Sequence, residues 1–198
     1  MLKCTENPSL YIHFPFCRQR CAYCAFYSQC DLSLSDDYLS ALIKESSVYN
    51  GVAVKTVFIG GGTPSLIEGD SFLRLIKGIN HFINFEKNAE FTMECNPESF
   101  TKTNAEKYAE AGVNRFSFGF QSADPDILNF LGRKHTFKEC EKAVKISRET
   151  GIENINADVI IGTPGETMQG LKNTLEKITA LELPHLSVYA LSIEEGTK

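Results

Sequence analysis

Three cysteines in CRQRCAYC, Cys17, Cys21 and Cys24, stand with three and then two residues between them. Thiolates gathered this closely suit a soft metal or an iron–sulfur cluster. A structural zinc site closes with four protein ligands, and a cubane cluster usually takes four cysteines. Here the group stops at three. His13 or Cys30 could complete a zinc site, but structural zinc usually joins two separated knuckles, and the chain has no second CxxC. An iron site left open for a substrate or cosubstrate is the better reading. Arg18 and Arg20 flank the cysteines and should favour thiolates.

Other chemically capable residues recur at the ends of apolar runs. GGGTP (60–64) follows TVFIG, and Glu94 and Asn96–Pro97 stand at the end of EFTMEC. Gln121 and Ser122 follow RFSFGF, and Gly162–Thr163–Pro164–Gly165 follow INADVII, which carries Asp158 within it. The glycines allow either a tight strand-to-helix turn or close backbone approach to a ligand. Glu94 reads as a rim ion pair or a binding group. A carboxylate inside an apolar strand must be paired or bound, so Asp158 faces a ligand or a structural arginine. Arg133 in LGRKH is either an exposed helix-end cation or an anion-binding group. His13 reads as a hydrogen-bonded core histidine before it reads as a ligand.

The elements that must position these groups alternate in type. Short β-branched and aromatic runs predict strands at SLYIHF (9–14), TVFIG (56–60), EFTMEC (90–95), RFSFGF (115–120), INADVII (155–161) and HLSVYAL (185–191). Amphipathic patterns between them predict helices over 35–49, 70–83, 104–112, 136–151 and 167–181. Thr136 and Glu139 read as a capping box, and Gly112 as a helix end. Strict alternation implies an α/β fold with a parallel sheet. Six strands fall short of a closed eight-stranded barrel, so the expected architecture is a partial, crescent-shaped (β/α)6 barrel, with an open doubly wound sheet as the alternative. The chain ends seven residues after the sixth strand, which reads as truncation. In such folds chemistry gathers beyond the carboxyl ends of the strands, where the residues above fall.

Bulk properties narrow the function. The 198 residues are 42% hydrophobic and 23% charged, as in a globular domain. A net charge of -5 argues against a nucleic-acid partner. No apolar run reaches the roughly 18 residues of a membrane span, and MLKCTENP lacks the apolar core of a signal peptide. Seven cysteines, an odd number, suit a reduced, cytoplasmic protein better than a secreted disulfide scaffold. Cys4, Cys30, Cys95 and Cys140 read as small apolar residues or surface thiols.

The cysteine spacing, with Tyr23 before the last cysteine, resembles the signature of radical S-adenosylmethionine (SAM) proteins. YIHFPFCRQRCAYCAFYS, FIGGGTPSL, MECNPES, VNRFSFGFQS, LGRKHT, NADVIIGTPGET and HLSVYALSIEEGT, in this order, resemble the oxygen-independent coproporphyrinogen-III oxidase-like family from about residue 9 to residue 197. The resemblance implies a partial (β/α)6 radical SAM barrel over 1–198. It also implies a [4Fe-4S] cluster on Cys17, Cys21 and Cys24, with the fourth iron left for the amino and carboxylate groups of SAM. Cluster reduction in such proteins breaks the sulfonium C–S bond to give methionine and a 5′-deoxyadenosyl radical.

The same resemblance assigns the remaining groups. The backbone of Gly61, Gly62 and Thr63, with Glu94, suits the SAM ammonium. Arg133 suits the carboxylate as a fork. Gln121 and Asp158 suit the ribose hydroxyls, and Tyr11, Tyr23 and Ala190 the adenine side. The oxidase type carries a further cysteine two residues after the third, where this chain has Phe26. That departure resembles the HemW type, which binds heme and delivers it to acceptor proteins, and which carries a C-terminal heme-binding domain that this chain lacks. The expected partners are therefore SAM, heme or a porphyrin, a heme-acceptor protein and an electron donor, with heme binding expected of the full-length protein. Oxidative decarboxylation of coproporphyrinogen III is the alternative function, and a zinc-stabilised binding module a third.

Overall fold

A computed structural model describes residues 8–197. Six strands appear in chain order: β1 Ser9–Phe14, β2 Ala53–Gly61, β3 Asn84–Cys95, β4 Arg115–Gln121, β5 Ile155–Ile161 and β6 His185–Ala190. They form one sheet in the order β1-β2-β3-β4-β5-β6, with every neighbouring pair parallel. A doubly wound sheet reverses its strand order at a switch point. The sequential order therefore excludes that alternative, and β1 and β6 are the two edges of an open, partial barrel.

The helices are α1 Ser35–Ser46, α2 Gly69–Asn80, α3 Lys102–Glu110, α4 Pro125–Phe130, α5 Phe137–Glu149 and α6 Met168–Thr179. Side chains alternate between the faces of a strand, and here the two faces differ in chemistry. Ile12, Phe14, Ile59, Met93, Phe116, Phe118, Ala157 and Val159 face the helices and join Leu39, Phe72, Ile76, Tyr108 and Val144 in the core. Phe116, Phe118 and Phe120 form a buried ladder on β4, and the Phe100 ring meets both Phe116 and Phe118 edge-on at 4.9 Å. Rings in this arrangement contribute beyond their buried area. The opposite face carries Glu94, Ser117, Asn156 and His185, which pair in register across four successive strands.

Three elements differ from expectation, the first being β2, which starts at Ala53 rather than Thr56. Strand β3 starts at Asn84 rather than Glu90, because 84 and 85 pair with Ala53 and Val54 ahead of an irregularity between Val54 and Thr56. The polar composition of 84–90 hides this extension. Helix α4 was not expected at all. Asp124 caps it, accepting from the N–H groups of Asp126 at 2.9 Å and Ile127 at 3.4 Å, and Pro125 fills its first turn. The capping box at Thr136 is present, with the Glu139 carboxylate accepting from the Thr136 N–H at 2.7 Å. Gly112 adopts φ 103° just after α3. Cys4 lies outside the described residues.

Candidate functional site

The loop after β1 carries the three cysteines and is docked at several points. The Cys17 N–H donates to the Gln29 carbonyl at 2.9 Å, and the Gln29 N–H to the Pro15 carbonyl at 2.7 Å. On its far side the Ala22 N–H donates to Leu131 at 3.1 Å, and Gln19 Nε2 to Gly132 at 2.9 Å. Tyr23 packs with Ile127, Leu131 and Ile160. The unexpected helix α4 and the turn after it are thus the surface against which the cysteine loop rests.

Cys17, Cys21 and Cys24 are free and half-buried, and they line a cavity of about 580 Å³ at the carboxyl end of the sheet. Tyr23, Gly61, Gly62, Thr63, Glu94, Gln121, Arg133, Asp158 and Ala190 line the same cavity. Tyr11 does not. It lies three residues before the end of β1, 57% exposed, with its hydroxyl 3.1 Å from His13 Nδ1 and its ring stacked on Phe58. Burial pushes its hydroxyl up, and the Glu94 carboxylate of the cavity wall adds to this. His13 makes that hydrogen bond and is likewise absent from the cavity wall, as is the exposed Cys30.

Among the described residues, no three His, Cys, Asp or Glu side chains converge closely enough to hold one metal ion. A tetrahedral zinc ion draws its sulfurs to roughly 3.8 Å from one another, given Zn–S bonds of about 2.3 Å. A cubane gives each cysteine an iron of its own, so its thiolates stand further apart. What sets these three thiols apart from structural zinc is the lack of a second CxxC to close the site.

The two arginines beside the cysteines do less than expected. Burial pushes the Cys17 thiol up, opposed by the Thr63 hydroxyl, which donates to Cys17 Sγ at 3.3 Å. Burial also raises Cys24, against the Phe26 N–H, Arg20 and Arg133. Arg20 commits its Nε to the Cys24 carbonyl at 3.0 Å. Desolvation therefore dominates at both thiols, and among the flanking arginines Arg20 opposes it at Cys24.

Arg133 is 8% exposed and makes no carboxylate ion pair among the described residues. One terminal nitrogen donates to Asn96 Oδ1 at 2.7 Å and to the Gly119 carbonyl at 2.9 Å, and the other lies 3.6 Å from Cys21 Sγ. Asn96 Nδ2 in turn donates to Thr63 Oγ1 at 3.3 Å. A polar chain therefore runs from Cys17 through Thr63, Asn96 and Arg133 to Cys21. Asn96 had no assigned role in the sequence, since its two partners come from different loops. A buried guanidinium held only by neutral acceptors and a thiol calls for an anion.

Glu94 accepts the Gly61 N–H at 3.0 Å. Burial raises its carboxyl, the Gly61 bond opposes this, and Asp158 across the cavity adds to it. The Gly62 and Thr63 N–H groups donate to Phe14 and Phe16 at 2.7 and 2.8 Å. With its N–H groups engaged, the GGGT stretch offers a ligand oxygen acceptors, which suits an amino group. The glycines themselves answer to the protein. A Cβ on Gly60 would lie 2.7 Å from Glu94 Oε2, on Gly61 2.6 Å from the His13 ring, and on Gly62 2.6 Å from the Phe16 carbonyl. Close packing of β1 and β3 side chains and the cysteine loop, rather than approach by a ligand, fixes these three positions.

Asp158 has no arginine partner. Its carboxylate accepts from Ser117 Oγ at 3.2 Å and Asn156 Nδ2 at 2.9 Å. Asn156 also donates to Ser117 at 2.8 Å, while its oxygen accepts from Ser187 at 3.1 Å and meets the His185 ring. Both carboxylate oxygens are braced from below, and their remaining lone pairs suit hydroxyl donors. Gln121 is 8% exposed, and its buried Oε1 has no protein partner. The cavity therefore presents acceptors for an amino group, a guanidinium for a carboxylate, and paired oxygens for a diol, beside three free thiols. That donor set fits SAM and an open iron–sulfur cluster.

Comparison with known proteins agrees. Heme chaperone HemW of Bacillus subtilis (strain 168) is 37% identical over 197 residues, covering 96% of this chain and 52% of the relative. Heme chaperone HemW of Escherichia coli (strain K12) is 38% identical over 195 residues, with the same coverage of 96% and 52%. The chain spans about half the length of the curated relatives it matches. Among solved structures, coproporphyrinogen III oxidase (HemN) from Escherichia coli, a radical SAM enzyme, matches with a TM-score of 0.86 and 25% identity over 94% of this chain and 45% of that one. Among the described residues, no helix is long and apolar enough to cross a membrane. The Radical SAM superfamily pattern matches residues 11–178, so the three-cysteine loop and the cavity beside it are those of a family member: the chain belongs to the Radical SAM superfamily.

Proposed function

We propose that this chain is the cofactor-binding core of a HemW-type heme chaperone of the cytoplasm, which works with heme, a heme-acceptor protein and an electron donor. Cys17, Cys21 and Cys24 would hold a [4Fe-4S] cluster. Gly61, Gly62, Thr63 and Glu94 would receive the SAM amino group, Arg133 its carboxylate, and Gln121 and Asp158 its ribose. Tyr23 and Ala190 would flank the adenine. When bound, the cluster and SAM supply reductive cleavage of a sulfonium bond. The protein's own part is to seat the donor groups and to keep Arg133 and Glu94 desolvated, which strengthens their hold on charged ligands.

The observation that carries the chaperone over the oxidase is Phe26. It occupies the position of the oxidase's additional cysteine, lines the cavity and is 73% exposed at its mouth. A phenyl group there offers an apolar face to a flat macrocycle and no thiol chemistry. The identity to heme chaperones over nearly the whole chain supports the same reading. The likeness to HemN keeps the oxidase as the second reading. Anaerobic incubation of the reconstituted full-length protein with coproporphyrinogen III, SAM and a reductant tests it. The expected result is no vinyl product, with heme transfer to an acceptor protein followed by its Soret band. Decarboxylated product would overturn the chaperone reading.

A further inference from the structure

His135 and Glu98 lie in the motifs LGRKHT and NPES, yet neither lines the main cavity. The structure joins them behind it. The His135 ring is buried, with Nε2 3.0 Å from the Phe120 carbonyl. A carbonyl oxygen only accepts, so Nε2 carries a proton. Nδ1 faces Glu98 Oε2 at 3.5 Å, with no other partner for either atom. That approach is favourable only with a proton between them, so the ring and the carboxyl share one. Burial works to raise the Glu98 carboxyl, but His135 and Arg133 outweigh it and hold it below its ordinary value.

The same loop grips two consecutive carbonyls at the end of β4. Arg133 holds Gly119 at 2.9 Å, and His135 holds Phe120, which also accepts from the Ser122 N–H at 2.8 Å. The next residue is Gln121, at φ 64°. A left-handed non-glycine residue persists only where its surroundings hold it. Its amide folds back over Gly119, where a Cβ would lie 2.8 Å from Gln121 Nε2 and 3.4 Å from the Arg133 guanidinium. Glu98 and Arg133 also share the wall of a small cavity of about 30 Å³ behind the cysteine loop.

We propose that His135 and Glu98 are a positioning pair for the SAM site. The His135 ring pins the end of β4, so that Gln121 keeps its left-handed backbone and its amide in the cavity. The Glu98 carboxyl holds that ring through Nδ1 and sets a negative charge behind Arg133, on the side away from the ligand. The proposal rests on the cofactor reading above.

The test uses the anaerobically reconstituted chain and the variants H135A, E98Q, Q121A and H135A/Q121A. Iron and sulfide content, thermal midpoint, SAM affinity and the change in the reduced cluster's electron paramagnetic resonance spectrum on SAM addition are measured. The expected result is iron at the wild-type level, with SAM affinity about tenfold weaker in H135A and E98Q. The losses in H135A and Q121A should not multiply in the double variant, because one acts through the other. A merely structural role would lower the thermal midpoint and leave both SAM affinity and the spectral change as in wild type, and that result overturns the proposal. If H135A does not fold, E98Q decides, since it keeps the shape and removes only the charge. A wild-type chain that holds its cluster and binds no SAM overturns the cofactor reading itself, and the pair's role with it. Wild-type binding with unaltered variants overturns the pair alone.

Discussion

The Glu94 carboxylate accepts the Gly61 N–H at 3.0 Å and lies where a Cβ on Gly60 would have to be, 2.7 Å away. The glycine run thus seats a buried carboxylate at the cavity wall. Burial raises that carboxyl above its ordinary value, with Asp158 contributing. Burial shifts the balance toward the protonated form relative to an ordinary carboxyl, and an amino ligand shifts it toward the ionised form. SAM affinity should therefore fall as pH drops toward the raised Glu94 value, starting at a higher pH than an ordinary carboxylate would give. Glu94→Gln should flatten that slope and weaken binding at neutral pH. Titration of SAM across the stable pH range of both proteins checks the sign. A slope that Glu94→Gln leaves unchanged would assign the pH dependence elsewhere.

Gly60→Ala tests the same seat from the other side. The added methyl meets both Glu94 and the Phe58 ring below 3.0 Å, so the carboxylate must move off the Gly61 N–H. We expect wild-type iron content and SAM binding weaker by about tenfold, in line with the loss of a charged hydrogen-bond partner. Iron analysis and SAM titration on one preparation separate this from loss of the cluster.

Cys17→Ala, Cys21→Ala and Cys24→Ala should each lose the cluster, since each removes one of the three loop thiols, and Cys95, which also reaches the cavity wall, is buried in the core at the end of β3. Cys30→Ala should keep it. Cys30 is exposed and absent from the cavity lining, although the Gln29 carbonyl before it holds the Cys17 N–H. Iron and sulfide counts after anaerobic reconstitution decide between them. Loss of iron in Cys30→Ala would show a fourth thiol at the site.

The strand ladder predicts where stability resides. Phe118 is fully buried, with Phe100 edge-on and Phe116 and Phe120 each 6.0 Å away. Phe118→Ala should cost about 3–5 kcal/mol, a large part of a domain's typical 5–15 kcal/mol. Urea denaturation of the two proteins measures it.

Much of this fold was legible in the sequence because four of its strands read as short β-branched or aromatic runs of nearly the observed length, and β2 and β3 were found by their apolar cores. The start of β3 was hidden by charged and polar residues that lie at the surface, and α4 by its length of six residues. Its Asp-Pro start was a readable signal. The cavity's ligand-facing groups were legible through their motifs. Their supports were not, because Asn96, Ser117 and Asn156 meet their partners across strands and loops far apart in the chain. One clue was present: in RFSFGF the phenylalanines alternate with Arg115, Ser117 and Gly119, so one face of β4 had to be polar. Tyr11 lies within β1, below the residues that line the cavity, with the charge of Glu94 acting on its hydroxyl.

Asp158→Ala should separate the SAM site from the cluster site. The carboxylate touches no cysteine. It rests on Ser117 and Asn156, at 3.2 and 2.9 Å, and both of these stay behind when it is removed. Asn156 keeps its bonds to Ser117 and Ser187, so β4, β5 and β6 remain linked on the concave face. Iron content should therefore match wild type. What is lost is an ionised acceptor for a pair of hydroxyls, and such a charged hydrogen bond is typically worth about 1.5–3 kcal/mol, or roughly ten- to a hundredfold in affinity. Asn156→Ala leaves the carboxylate in place and removes one of its two braces, so its loss should be smaller. Asn156→Asp should be worse than Asn156→Ala, because it sets a second negative charge against Asp158 at hydrogen-bond distance. SAM titration of the three reconstituted variants gives the order. Equal affinity in Asp158→Ala and wild type would remove this carboxylate from the site, and an Asn156→Asp protein that binds as well as Asn156→Ala would show that the brace does not set its orientation.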